Sequence, residues 1–292
     1  MTSPVIDAHA HVFDSADRAA RNVDELVPAE RRATIEQYRT RLDAIGASHA
    51  VLVPLDAHDD YVSACVRAEP GRYRGVLVCG PEELGQTAAD PAAALADRLA
   101  RHPAAAVRTM WLGEPGVSLT ESPAMAMLRA ASDAGLVLWS YLPPDQAPHL
   151  DELVGLLPDL RIVLNHFGFT PHDMRVDQHA RPWFAEGLTA SAVERVQRLS
   201  RSENVNLMYS GHYALSHGEP PYPDIAETAR RLLDAYGPSR TIWGSDYPWI
   251  DTAPGYAASF EAVRETLSAD LSADEVALVT GGTIARLLDI TV

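Results

Sequence analysis

Lysine is absent from this chain. All 24 of its basic residues are arginine, so no side chain can form a Schiff base, grip phosphate as a Walker lysine does, or be carboxylated to bridge two metal ions. Cysteine is scarce: Cys65 and Cys79 are the only two. That excludes a disulfide framework and a CxxC pair, and it suits a reducing cytoplasm, the expected location. No apolar run reaches the roughly 18 residues needed to span a bilayer. The first motif starts about five residues in, which leaves no room for a signal peptide. Positive charge is outnumbered, with 24 basic against 40 acidic residues and a net charge of −16. A nucleic-acid backbone or an anionic membrane would be repelled on average, so neither is an expected partner. No GxGxxG follows an apolar run, which argues against a dinucleotide-binding fold.

What is present is a regular alternation. Of 292 residues, 47% are hydrophobic and 22% charged, the composition of an ordinary globular chain with a sizeable core. Eight Val/Ile/Leu-rich runs read as strands: Val5–Val12, Ala50–Leu55, Gly75–Cys79, Ala106–Leu112, Leu136–Leu142, Arg161–Phe167, Val205–Ser210 and Thr241–Ser245. Their near-continuous hydrophobicity is that of parallel strands covered on both faces. Amphipathic helices fit between them. Thr34–Ile45 closes at Gly46, Pro91–Arg101 opens after Asp90, Ala124–Ala134 stops at Gly135, and Ile225–Tyr236 stops at Gly237. Ser272 and Glu275 have the spacing of a capping box for the last helix. Eight βα units predict a single (β/α)8 TIM barrel over residues 1–292, a fold that typically takes about 250 residues. An open doubly wound sheet is the alternative. Two long connections, Phe13–Arg32 and Gly168–Gly187, follow strand ends and should cover the catalytic face.

The chemistry-bearing residues stand at strand ends. His9 and His11 alternate with Ile6, Ala8, Ala10 and Val12 on the first strand, so the two imidazoles should share the barrel interior while the others pack against helices. His166, with the parity of Ile162 and Leu164, ends the sixth run, and Asp246 ends the eighth. A closed barrel sets its eighth strand beside its first, bringing Asp246 to the His pair. His, His and carboxylate are ligand types for zinc or another divalent ion. The expectation is at most one metal held by His9, His11 and Asp246, with zinc first among candidates, or no metal at all. Arg108, inside the fourth run, is costly to bury unless its fork grips a carboxylate or phosphate. Tyr141 and Arg181 are further substrate-binding candidates, with Ser210 and His212 weaker ones. Trp111, Trp139, Trp183 and Trp249 could line an apolar wall. His149 is a marginal ligand candidate. A small anionic molecule is the expected partner, and a homo-oligomer is left open.

In this order, Asp7-Ala8-His9-Ala10-His11, Asn165-His166-Phe167-Gly168 and Trp243-Gly244-Ser245-Asp246-Tyr247-Pro248 resemble the amidohydrolase superfamily along nearly the whole chain. Within it, the stretch Ala33–Gly46, the stretch Val205–Tyr213 and the run Gly237–Arg240 are similar to the branch holding 2-pyrone-4,6-dicarboxylate lactonase and the sugar and muconolactone lactonases. The resemblance implies a hydrolase that opens a lactone or cyclic ester of a small carboxylated molecule. Asp246 would be the general base, His9, His11 and His166 would polarise the carbonyl, and Arg108 would hold a substrate carboxylate. It implies a non-oxidative decarboxylase as the alternative. Two departures stand out. The metal-binding His that many superfamily members carry on strand five is absent, Tyr141 being the nearest polar residue. The Lys frequent on strand seven of the branch is replaced by Met208.

Overall fold

A computed structural model describes residues 4–291. Eight parallel strands follow one another round a barrel: β1 (Val5–Ala10), β2 (Ala47–Leu52), β3 (Tyr73–Val78), β4 (Ala106–Thr109), β5 (Val137–Ser140), β6 (Arg161–Leu164), β7 (Val205–Tyr209) and β8 (Thr241–Trp243). Helices α1 (Ile35–Ala44), α2 (Asp60–Ala68), α3 (Pro91–Arg101), α4 (Ala124–Asp133), α5 (Ala147–Leu156), α6 (Ala190–Leu199), α7 (Ala226–Tyr236) and α8 (Tyr256–Asp270) each follow a strand. The (β/α)8 architecture is as the alternation predicts. The capping signals work as their chemistry requires: the Thr34 hydroxyl accepts from the Gln37 N–H while the Gln37 side chain takes the Thr34 N–H, and Ser272 pairs with Glu275 in the same way. The long connection after β6 is less irregular than expected, since Arg175–Val176 and Pro182–Trp183 pair as a small antiparallel ribbon.

Two apolar layers hold the barrel. Inside it, Ile6, Ala8, Val51, Val76, Val137, Trp139, Val163, Met208 and Ile242 pack together, and Ile284, Leu287, Leu288 and Ile290 from the C-terminal helical stretch join them. Outside, the opposite strand faces meet the helices. The C-terminal stretch comes so close to the start of β1 that a Cβ on Gly281 would lie 1.9 Å from the Pro4 carbonyl oxygen, so only glycine fits there.

The β8–β1 seam is closed just beyond the end of β8. The His11 N–H donates to the Tyr247 carbonyl at 2.7 Å and the Asp246 N–H to the His9 carbonyl at 2.8 Å. A Cβ on Gly244 would stand 2.9 Å from the His9 Cβ, so a side chain at this position would push the two strands apart. Beneath the seam lies the fully buried Asp7. Its carboxylate accepts from the Tyr38 hydroxyl (2.6 Å), the Ser245 N–H (2.8 Å) and hydroxyl (2.6 Å), the Tyr256 hydroxyl (2.8 Å) and the His9 N–H (3.2 Å). Burial pushes its pKa up while these donors pull it down. One carboxylate thus ties β1, the end of β8, α1 and α8 together.

The structure corrects the sequence reading at several places. The second strand is Ala47–Leu52, not Ala50–Leu55, and the others stop one to three residues before their apolar runs do, except that the third is displaced to start two residues earlier. The runs continue because the connections above the barrel are themselves buried. Ile6 and Ala8 face the interior rather than the helices, and Asp7 faces the helices. The cause is a register shift between Asp7 and Ala10, where β1 runs three residues against two of β2, a bulge that reverses the alternation before His9. His166 does not share its direction with Ile162 and Leu164, which pack on the helix side. It turns into the mouth because β6 ends at Leu164 and the backbone enters the left-handed region at His166 (φ 45°), Phe167 (φ 59°) and Gly168 (φ 70°).

Candidate active site

Three strand ends, those of β1, β6 and β8, bring His9, His11, His166 and Asp246 into one buried cluster. The His9 and His166 rings lie 5.1 Å apart and the His9 and His11 rings 4.9 Å. The Asp246 Oδ1 atom stands 3.6 Å from His9 Nε2 and 3.4 Å from His11 Nε2, and its Oδ2 stands 3.7 Å from His166 Nε2. Asp246 itself has φ 61°, a conformation that L-residues hold only at a cost. The seam bond from its N–H to His9 and the Tyr213 hydroxyl, which donates to Oδ2 at 2.6 Å, hold it there. Burial would raise the Asp246 pKa, but His166, His11 and His9 outweigh it and keep the carboxyl well below its ordinary range. His166 goes the other way. Burial, with Arg108 and His11 adding, takes its pKa down to about 4 despite the nearby Asp246 carboxylate. At neutral pH Asp246 is therefore ionised, and His9 and His166 are neutral.

Each imidazole is oriented by a neighbour. His11 Nδ1 donates to the Val53 carbonyl at 2.8 Å, which leaves a lone pair on Nε2. His166 Nδ1 meets the Ser210 hydroxyl at 2.8 Å. His9 Nδ1 accepts from the Trp139 indole N–H at 3.0 Å. An indole nitrogen can only donate, so neutral His9 carries its proton on Nε2, pointing into the cluster. Burial and His11 keep its pKa well below the ordinary value.

Among the described residues, Arg108 is buried (9% exposed) and has no carboxylate within ion-pair reach. Its guanidinium lies over the Tyr141 ring, 4.3 Å from the centroid, and the Tyr141 ring stands 6.1 Å from that of His166. Burial lowers the Arg108 pKa, opposed by Tyr141 and Asp246, yet an arginine stays charged. This is a buried cation placed beside the cluster with no anion of its own.

The remaining candidates lie elsewhere. Arg181 donates to Asp177 Oδ2 at 2.8 Å and to the Ala253 carbonyl, and covers the Tyr213 ring. His149 spends Nε2 on the Glu114 carbonyl. His212 packs between Phe167, Tyr209 and Tyr222, and burial takes its pKa down to about 3. Trp249 is 6.1 Å from the His11 ring, whereas the Trp183 indole serves the Ser216 carbonyl. Two contributors escape sequence reasoning. Tyr213 stands in a single helical turn after Gly211 with no motif to mark it. Trp139 reads as wall, although its shared parity with Tyr141 points it inward.

His9 Nε2, His11 Nε2 and Asp246 Oδ1 form a triangle with edges of 3.3, 3.4 and 3.6 Å. Ligand atoms about 2.0–2.1 Å from a tetrahedral zinc are spaced about 3.4 Å apart. Asp246 Oδ1 is buried without a hydrogen-bond partner, and the His11–Val53 contact is of the type that supports a metal-bound imidazole. These residues fit one divalent cation. The discordant contact is Trp139, which keeps a proton on the His9 nitrogen that a cation would need. Trp139→Phe is therefore expected to tighten zinc binding about 10-fold or more, within the ~10–100-fold range of outer-shell changes. Competition against a chromophoric chelator measures this, and unchanged or weaker affinity would mean that His9 already offers Nε2 as a lone pair.

An eight-stranded barrel with a His–His–His–Asp cluster at its mouth is the fold and site of a (β/α)8 enzyme. The chain belongs to the amidohydrolase family, whose model matches residues 6–290. Similar solved structures include a Pseudomonas putida protein assigned as a 2-pyrone-4,6-dicarboxylic acid hydrolase, at 24% identity and TM-score 0.73 over 100% of both chains. A Burkholderia multivorans amidohydrolase with bound zinc matches at 19% identity and TM-score 0.76, over 99% of this chain and 100% of that one. The 5-carboxyvanillate decarboxylase of Novosphingobium aromaticivorans, complexed with manganese, matches at 16% identity and TM-score 0.59, over 98% and 96%. No curated protein matches the chain. At these identities the likeness carries the fold.

Proposed function

We propose that this amidohydrolase opens a lactone or similar cyclic ester of a small carboxylated molecule. The observation that carries the reading is the placement of Asp246: a carboxylate oxygen, Oδ1, buried among the histidines and claimed by no donor. Hydrolysis begins with a base, and this oxygen is one. Decarboxylation must deliver a proton to carbon from a group that is already protonated, whereas hydrolysis brings its proton in on the water.

In this reading Arg108 seats the substrate carboxylate and Tyr141 packs beside it. A water on Asp246 Oδ1 gives up its proton to that oxygen as it adds to the lactone carbonyl. His9, with its proton on Nε2, and His166 stabilise the oxyanion. As the tetrahedral adduct collapses, the ring oxygen leaves and takes the proton from Asp246, which restores the carboxylate. A divalent cation held by His9, His11 and Asp246, when bound, would supply Lewis acidity toward the carbonyl.

The two chemistries move protons in opposite directions. Ring opening at neutral pH releases one proton per turnover, while loss of CO₂ from a carboxylate consumes one. A pH-stat run over a panel of carboxylated lactones and aromatic acids is expected to show acid release, with one ¹⁸O from labelled water in the new carboxylate. Base release with CO₂ evolution would establish the decarboxylase instead.

A further inference from the structure

A cavity of about 450 Å³ opens over the ends of β2, β4 and β5, between the connections that follow β1 and β6. Tyr141 belongs both to this cavity's wall and to the Arg108 stack, so the cavity and the anion position adjoin across its ring. Its wall is largely apolar, with Leu55, Met110, Met174 and Phe184 facing it. Met110 and Met174 are 53% and 47% exposed, two of the few large hydrophobic side chains left in water among the described residues. A third, Val23 at 53%, sits between the wall residues Asn22 and Asp24. Unbranched methionines adapt to irregular apolar surfaces.

The charge on the wall has one sign. Asp24, Asp56 and Asp173 line the cavity beside His172, and no arginine does; Asp56 is met by His58 at 2.8 Å and Asp24 takes the Val27 N–H. The neighbouring arginines of the mouth are engaged: Arg31 donates to the Leu26 and Ala180 carbonyls, and Arg181 to Asp177. Among the described residues, Arg108 is thus the guanidinium beside the cluster that donates to neither a carboxylate nor a carbonyl, and it can neutralise one carboxylate. A second carboxylate on the same molecule would meet either ionised Asp246 or the three acidic residues of the wall.

We propose that the substrate is a monoanion, with its single carboxylate on Arg108 and an uncharged, apolar arm in the Tyr141–Met110–Met174–Phe184 cavity, and that the cavity rejects a second carboxylate. The proposal rests on Arg108 as the anion anchor of the hydrolytic reading and adds what occupies the space beyond it. Negative wall charge excludes the dianion, while the apolar surface binds the arm.

The test uses non-hydrolysable probes, so it is independent of which bond the enzyme breaks. Calorimetric titration of the full-length protein compares 3-phenylpropanoate with 3-(4-carboxyphenyl)propanoate, the same skeleton with a distal carboxylate. The monoanion is expected to bind at least about 10-fold more tightly, a difference of roughly 1.4 kcal/mol. Met110→Arg, at an exposed wall position, is expected to abolish or reverse that preference. Arg108→Met is expected to remove binding of both probes, with circular dichroism confirming the fold. Equal or tighter binding of the dicarboxylate to the unaltered protein overturns the proposal, as does absence of binding by the monoanion. A preserved monoanion preference in a protein that opens no lactone would count against hydrolysis and leave the cavity's role standing.

Discussion

Asp246→Asn is expected to lower kcat/KM by about 10²- to 10⁴-fold, the usual contribution of a positioned general base. The substitution keeps the side-chain volume and an oxygen that can still accept from the Tyr213 hydroxyl at the Oδ2 position. It removes the charge that faces the three histidines and puts an amide where the unclaimed Oδ1 lies. The seam bond from the residue-246 N–H to the His9 carbonyl is made by backbone, so the fold should persist, as a near-unchanged melting curve would show. Zinc content measured on the same sample separates two roles for Asp246. Loss of turnover with unchanged affinity for metal identifies the base, and loss of both identifies a residue that also holds the ion. A variant that keeps both its fold and its turnover would place the proton transfer elsewhere, with His166 the next residue to test.

Arg108→Met should produce two effects of opposite sign. The KM for a carboxylated substrate is expected to rise about 10²-fold, since truncating one side of a buried charge pair costs roughly 2–5 kcal/mol, while an uncharged analogue is barely affected. The stability of the free protein should rise or stay level, because Arg108 is buried without a carboxylate in ion-pair contact, Asp246 offsetting only part of its desolvation, and replacing such an ion by an apolar side chain of similar reach relieves that cost. A structural arginine would behave in the opposite way. Its loss would lower the melting temperature by several degrees and weaken both substrates alike.

Much of the architecture could be read because eight apolar runs alternate with capped helices, and residues such as Thr34, Gly46, Gly135 and Ser272 mark where helices begin or end. The convergence of His9, His11 and Asp246 followed from barrel closure alone. The directions of individual side chains were harder to read. A strand alternates only while its ladder is regular, and the bulge before His9 breaks that rule without any glycine or proline to announce it. His166 reaches the cluster through three successive left-handed residues, of which only Gly168 advertises the conformation. Strand ends were overextended because residues beyond the ladders are buried as deeply as those within them. Trp139, Tyr213 and Asp7 stayed hidden as partners for a different reason: their hydrogen bonds join positions 130, 33 and as many as 249 residues apart, and no local pattern encodes such a pairing.

The seam between the first and last strands also sets the order in which the chain can become active. The Asp7–Ser245 bonds close a loop of 238 positions, and such contacts form late because the closure entropy must be met before they repay it. A chain emerging from the ribosome exposes its His9–His11 pair first and the carboxylate that completes the cluster near the end of synthesis. Through most of translation the paired imidazoles are present without Asp246, so neither a complete metal triangle nor a base exists to act on passing metabolites. Activity should therefore appear together with the last cooperative step of refolding, lagging behind the recovery of helical signal.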